Sequence, residues 1–133
     1  MKNYDDFKKD SEYPVLDIND GINIYNRMMS ELPDDEEAKG ILADFYACVR
    51  DYATMRGEWQ TLHRERQIMQ DRTRTIHHDS VIIHINMIKG YLERHGKDVS
   101  FMNPLSSNEK IVERKLAGDY ACIVFCLMGI ESR

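Results

Sequence analysis

Residues 75–95 read TIHHDSVIIHINMIKGYLERH, and the spacing of their apolar side chains decides the fold class. With each residue turned by 100° from the last, one side of a helix collects five apolar side chains: Val81, Ile85, Ile88, Tyr91 and Leu92. His77, His84 and His95 fall on the same side, whereas His78 falls at its border. The stretch therefore predicts an amphipathic helix with histidines in two different environments.

Helices are also predicted before this stretch. Asp17 can cap a first helix, which Pro33 ends. The four carboxylates of residues 34–37 suit the positive end of a second helix, whose apolar seam continues to about Leu62. Residues 63–74 are polar and either extend this second helix or bridge it to the next. These elements predict an all-α chain.

The C-terminal third contains a connection and a fourth helix. Gly96 suits the left-handed cap of the preceding helix, and an extended connection is expected up to Pro104, with β signals only at residues 98–102. Ser106 and Glu109 form a capping box for the fourth helix. Its apolar stripe is formed by Val112, Leu116, Tyr120, Ile123, Leu127 and Ile130. The predicted fold is a four-helix bundle with a long central helix region.

Charge divides the sequence into two parts. Residues 1–37 hold eleven Asp or Glu against four Lys or Arg, whereas the rest of the chain has 12 against 14. Residues 1–16 are polar and acidic and include Pro14, so we expect a flexible N-terminal segment there. Residues 17–133 then form a single helical domain.

Composition excludes several classes of protein. A hydrophobic content of 42% and a charged content of 31% are usual for one globular domain. No basic region could neutralise a nucleic-acid backbone, and the longest apolar run falls well short of the roughly 20 residues that span a membrane. The opening MKNYDDFKKD lacks the apolar core of a signal peptide, and three cysteines without a CxxC motif suit a reducing compartment. We therefore expect a cytoplasmic protein that binds neither nucleic acid nor membranes.

The fourth helix is apolar on more than one side. Cys122, Phe125 and Met128 lie opposite its main stripe, so the helix is either the centre of the bundle or part of a contact between subunits. The subunit contact is favoured here, because four helices provide few neighbours to surround one of them. It predicts a homodimer whose interface is formed by Tyr120, Ile123, Phe125, Leu127 and Met128.

The histidines of the quoted stretch are either packing residues or metal ligands. Along a helix, His77 lies about 10.5 Å from His84 and about 16.5 Å from His95, so none of these pairs can bind one ion alone. Hydrogen-bonded packing is favoured, because buried polar groups usually find a partner. The acidic turn at residues 34–37 is interpreted as stabilising its helix. No cofactor or metal ion is predicted; the alternative is a site of His77, His84 and His95 with ligands from other helices.

His78 and Asp79 allow a catalytic alternative. Together with Arg74 and residues 88–92, they are similar to the phosphoacceptor helix of sensor histidine kinases and sporulation phosphotransferases. That resemblance implies phosphoryl transfer at an exposed His78, with Asp79 orienting the imidazole. The isoleucines that follow and a shifted apolar register depart from the pattern. The pair also matches the dipeptide of the metal-dependent His-Asp phosphohydrolases, but not the rest of their motif.

A sparser resemblance covers residues 71–133. Its residues are Asp71, Arg74, His78, Ile82, Asn86, Gly96, Arg114 and Arg133. They resemble the pattern of a family of small uncharacterised all-helical proteins of Gram-positive bacteria and their mobile elements. The resemblance implies a bacterial all-α protein without a known activity. A polar stripe on the third helix is formed by Asp71, Arg74, His78, Asn86 and Lys89, as either an internal network or a site that binds a partner.

No arrangement of nucleophile, base and oxyanion donors can be assembled from the sequence. We therefore expect a non-catalytic protein for protein–protein interaction or regulation, with an unknown protein partner. The alternatives are a histidine phosphotransfer protein that uses His78 and a metal-binding helical bundle.

Overall fold

The computed structural model describes Tyr4, Phe7 and residues 16–105 and 111–131, with the backbone alone at 111–114, 130 and 131. After Leu16 the described residues form six helices: α1 (Ile18–Glu31), α2 (Glu36–Gln60), α3 (Arg64–Met69), α4 (Asp71–Arg94), a 3-10 helix (Ser100–Leu105) and α5 (Ile111–Glu131). These residues include no strand, so the predicted all-α class is confirmed. None of the described helices has the length and apolar character needed to cross a membrane.

The start of α1 follows the sequence prediction. The Asp17 carboxylate accepts the backbone N–H groups of Asn19 at 3.0 Å and Asp20 at 3.3 Å. Gly21 then allows α1 to approach α5 closely, because a Cβ at this position would overlap the side chain of Ile123. A glycine that costs helix propensity is therefore a point of close packing between two helices.

The antiparallel pair of α2 and α4 forms the most extensive contact between helices. At one end, Asp35 caps α2 and accepts the Tyr91 hydroxyl of α4 at 2.6 Å. At the other end, the Arg74 guanidinium of α4 lies 4.6 Å from the centre of the Trp59 ring of α2. The short helix α3 turns the chain between them. Gly96 ends the α4 region with a φ of 72°, as predicted.

The connection after Gly96 is not extended throughout, so that prediction is wrong. Residues 100–105 form a 3-10 helix that includes Pro104, and no strand forms at residues 98–102. Side chains three residues apart align in a 3-10 helix, and here Met102 and Leu105 are both buried. Burial of these two apolar side chains outweighs the extended preference of the sequence around proline.

The helix α5 is the centre of the domain. Every residue from Ala117 to Val124 is buried, because α1, α2, α4 and the 3-10 helix all contact α5. The subunit contact was favoured because a second apolar side of this helix was expected to be exposed. From Ala117 to Val124 no such exposed side is present. The capping box predicted at residues 106–109 and the side chains of Val112 and Ile130 lie outside the described residues.

The predicted flexible segment at residues 1–16 contains three buried side chains, Tyr4, Phe7 and Leu16, so the prediction is wrong for these residues. The Tyr4 hydroxyl donates to the Leu16 carbonyl oxygen at 2.6 Å. The Phe7 ring meets the Phe125 ring edge-on, with 6.4 Å between their centres. Burial of two aromatic side chains stabilises the position of these residues against the domain. These three side chains thus pack against the helical domain, while the domain boundary after residue 16 stays a prediction.

A buried ion pair holds these N-terminal residues in place. Arg56 Nη1 lies 3.1 Å from Asp119 Oδ1, and Arg56 Nη2 donates to the Phe7 carbonyl oxygen at 2.8 Å. The other carboxylate oxygen of Asp119 accepts the Leu16 N–H at 3.1 Å. The charges thus bind backbone groups of the chain itself, which gives this cluster a structural role.

Candidate interaction surface

The outward side of α4 carries large apolar side chains that the rest of the described chain leaves exposed. Ile76, Ile83 and Met87 are 59%, 58% and 43% exposed. Intervals of seven and four residues point them in nearly the same direction over about 16.5 Å of helix. This direction is opposite to that of Val81 and Ile85, which are fully buried. We call Ile76, Ile83 and Met87 the outer face of α4.

Two further surface features lie near the start of α4. At the end of α3, Ile68 and Met69 are 61% and 79% exposed. An open groove of about 590 Å³ follows, between the C-terminal half of α2 and the start of α4. Trp59, Gln70 and His77 are among the residues that line it. Exposed apolar residues that form a contiguous patch mark surfaces that bind other proteins, and the line of Ile76, Ile83 and Met87 is the candidate for such a patch here.

The three histidines of the predicted packing side lie in different surroundings. His77 lines the groove, whereas His84 Nδ1 donates to the Ser80 carbonyl oxygen at 2.7 Å. His95 Nδ1 donates to the Tyr91 carbonyl oxygen at 2.9 Å, and the His95 ring stacks on that of Tyr91. In the described part of the chain, no three potential ligands are placed to hold a metal ion. His77, His84 and His95 therefore do not form the alternative metal site there.

A short row of polar contacts joins α2 to α4. Cys48 Sγ lies 3.3 Å from Ser80 Oγ, which lies 3.4 Å from His84 Nδ1. The same nitrogen donates to the Ser80 carbonyl oxygen, so it cannot also take a proton from the hydroxyl. Burial raises the pKa of the Cys48 thiol, which keeps it protonated and a weak nucleophile. The row therefore supports packing rather than covalent catalysis.

His78 packs between helices. Its ring meets the Tyr52 ring of α2 edge-on, with 5.8 Å between centres. Its Cδ2 lies 3.3 Å from the place that a Cβ on Gly118 of α5 would occupy. The side chain is half-buried, and its Nδ1 atom is buried. Phosphoryl transfer needs an accessible imidazole nitrogen, and burial of Nδ1 disfavours transfer at that atom; phosphoryl transfer by His78 stays a prediction.

The polar stripe of α4 does not form one continuous surface. Asp71 and Arg74 form an exposed ion pair with 2.9 Å between Oδ1 and Nη2. Further along, Ile82 is buried, whereas Asn86 is exposed and Lys89 is half-buried. The first pair lies at the groove, because Arg74 also covers the ring of Trp59, a groove residue. The two ends of the stripe thus face different surroundings.

The interface predicted on α5 requires a correction at two residues. Tyr120 and Ile123 are buried by their own chain, where Tyr120 stacks on Phe45 and Ile123 packs on Gly21. They cannot contact a second subunit in this fold. The other members, Phe125, Leu127 and Met128, are half-buried, and their part in a subunit contact stays a prediction.

Comparison with known proteins identifies no relative. No protein-family model matches the sequence, and searches of curated proteins and of solved structures give no similar protein. The resemblance of residues 71–133 to small helical proteins of Gram-positive bacteria therefore stays a prediction. Two of its residues, Arg133 and the side chain of Arg114, lie outside the described residues.

The outer face of α4 is a surface that the predicted site residues did not include. Its signal is present in the sequence as apolar residues at intervals of seven and four. The buried side of the same helix has more apolar residues, and they dominate its periodicity. A second, narrower apolar line opposite the main one is the pattern that would have identified this surface.

Proposed function

We propose that this chain is a non-catalytic protein-interaction protein of the cytoplasm, which binds a partner through the outer face of α4. The observation that carries the proposal is the exposure of Ile76, Ile83 and Met87 in one line. Water contact with such a line is unfavourable, and a partner that covers it gains hydrophobic free energy. A helix of the partner suits this line, because intervals of four and seven residues form the seam between paired helices.

The chemistry of the clusters supports binding over catalysis. His84 uses its Nδ1 within its own helix, and burial raises the pKa of the Cys48 thiol. The described cysteines are free thiols, which suits a reducing compartment. The sequence predicts a homodimer through the C-terminal helix; a homodimer through the outer face of α4 is a different form that the proposed binding can take.

A photo-crosslinking amino acid at position 83 tests this proposal in the cells that produce the protein. We expect a discrete cross-linked product from position 83 and from position 76, which lies on the same face. Position 18 on α1 is the matched control, because Ile18 is also an exposed isoleucine, at 42%. The product from position 76 should disappear when Ile83→Ser is added. If positions 76 and 83 give no more product than position 18, the outer face binds no protein and the proposal fails.

A further inference from the structure

Two charged residues near opposite ends of α4 are not used within the described chain. Arg72 and Glu93 are exposed, and neither forms an ion pair with another described residue. The neighbouring charges do pair: Asp71 with Arg74, and Arg94 with Glu37. About 31.5 Å of helix separates positions 72 and 93, so these two residues cannot pair within one chain. Each end of α4 therefore offers one charge to a partner, and the two charges are opposite in sign.

Both charges lie on the same flank of the outer face. With Ile76 taken as zero, Arg72 falls near −40° and Glu93 near −100°, while Ile83 and Met87 stay within about 20° of zero. The opposite flank meets α2, as the contact between the Ser80 and Cys48 side chains shows. Because Arg72 and Glu93 are both exposed, a partner helix on the outer face would find both charges on the flank that faces away from α2.

From this arrangement we infer that the partner of the outer face is a second copy of this chain, with the two α4 helices antiparallel. In that register, Ile76 of one copy lies opposite Met87 of the other, and the Ile83 side chains of the two copies lie close to the centre of the contact. Arg72 of each copy then faces position 91 of the other, and Glu93 lies about 3 Å of helix further along. The long arginine side chain spans this offset, so an ion pair forms at both ends. A parallel pair would bring like charges together at each end, which opposes binding. The inference rests on the proposed function and adds the identity of the partner.

The size of the surface indicates a reversible dimer. Positions 72 to 93 span about six helical turns, but only three large apolar side chains per copy lie on the outer face. Such a contact belongs with the smaller class of protein interfaces, which form and dissociate readily. Exposed ion pairs of this kind add only modest free energy, although they set the register of the two helices.

Sedimentation equilibrium of the purified chain over a dilution series tests the inference. We expect the mass to rise with concentration from one chain of 15.6 kDa towards two. Ile83→Ser should keep the protein monomeric over the series, because it removes the central apolar contact. Ile18→Ser, which changes an exposed isoleucine on α1, should behave as the original sequence does.

Charge reversal separates a second copy from any other partner. Arg72→Glu alone and Glu93→Arg alone should each weaken the dimer about tenfold, because each puts like charges together at both ends. The double variant Arg72→Glu, Glu93→Arg should restore the affinity of the dimer, since the two ion pairs between the copies form again with their signs exchanged. An acid near the start and a base near the end of α4 suit the helix dipole, so neither change weakens the helix.

Three results would overturn the inference. The first is a monomer at every concentration, and the second is a dimer that Ile83→Ser leaves intact. The third is a double charge variant whose dimer is no tighter than the dimers of the two single variants. In each case, cross-links from position 83 to a different protein would still support the proposed function. Absence of both the dimer and the cross-links would remove both proposals.

Discussion

The guanidinium of Arg56 and the carboxylate of Asp119 lie 3.1 Å apart in the core, where 8% of one side chain and none of the other remain exposed. One partner also binds the Phe7 carbonyl oxygen, and the other binds the Leu16 N–H. This ion pair therefore connects α2, α5 and the N-terminal residues.

Removing one partner of this pair should destabilise the fold strongly. Asp119→Ala leaves the Arg56 charge buried without its carboxylate, so we expect the free energy of unfolding to fall by about 3–5 kcal/mol. Urea denaturation measures this change. The double variant Arg56→Met, Asp119→Leu should lose less of the free energy of unfolding than Asp119→Ala does, because it leaves no buried charge. If Asp119→Ala is as stable as the double variant, the Arg56 charge is not confined to the core.

Gly118 is a close contact between α5 and its neighbours. A Cβ there would overlap the Tyr52 hydroxyl and lie 3.3 Å from His78 Cδ2, so we expect Gly118→Ala to lower the free energy of unfolding by about 1–3 kcal/mol. Gly40→Ala is the matched control, since nothing lies within 4 Å of a Cβ at that exposed position of α2. The control should raise stability by up to about 1 kcal/mol through its helix propensity. If Gly118→Ala and Gly40→Ala shift the melting temperature equally, the close contact at Gly118 is contradicted.

The Phe7 side chain should contribute to stability although it lies in a stretch with an acidic composition. Phe7→Ala removes a buried aromatic ring, and we expect a loss of about 3–5 kcal/mol in denaturant unfolding. Ile68→Ala, at a residue that is 61% exposed, should change stability little. A Phe7→Ala variant as stable as the original chain would mean that the N-terminal residues do not belong to the folded core in solution.

Stability should fall in acid partly through Asp35. Hydrogen bonds from the Tyr91 hydroxyl and the Ala38 N–H lower the pKa of the Asp35 carboxyl below its usual 3.8. A carboxyl with a lowered pKa in the folded state stabilises the fold above its unfolded pKa, and this contribution disappears as pH falls through the folded value. Asp35→Asn should therefore flatten the acid limb of a plot of unfolding free energy against pH. Glu36→Gln, in the same turn, is the control; identical acid limbs for both variants would count against this role of Asp35.

The thiols should differ in reactivity according to their burial. Burial raises the pKa of the Cys122 thiol to about 12, and it also raises that of Cys48, so both stay protonated at neutral pH. Cys126 is half-buried. Timed labelling with a thiol reagent, read by peptide mass spectrometry, should modify Cys126 first and the other two only on unfolding. Fast labelling of Cys122 under native conditions would show that the centre of α5 opens.

Local chemistry explains which parts of the fold were predictable. Asp17 caps α1, α2 begins at the acidic turn of residues 34–37, and Gly96 adopts a positive φ, because each depends on a few adjacent residues. The amphipathic pattern of α4 was likewise readable, although the helix starts at Asp71, before the predicted Thr75. Boundaries of this kind shift because tertiary contacts extend or shorten a helix.

Long-range packing explains what was missed. The central position of α5 depends on contacts with α1, α2 and α4, and no pattern within α5 could distinguish these from contacts with another subunit. The burial of Tyr4 and Phe7 depends in part on Arg56, a charged residue on the apolar seam of a distant helix. The outer face of α4 was hidden for another reason, since the stronger apolar line on the same helix accounts for most of its periodicity.

The hydrogen bond from the Leu16 N–H to Asp119 joins residues 103 positions apart. A ribosome therefore exposes Tyr4, Phe7 and Leu16 long before it makes the helix that they pack on. Contacts so distant in sequence close slowly, and until α5 emerges these N-terminal residues are available to chaperones and to neighbouring chains.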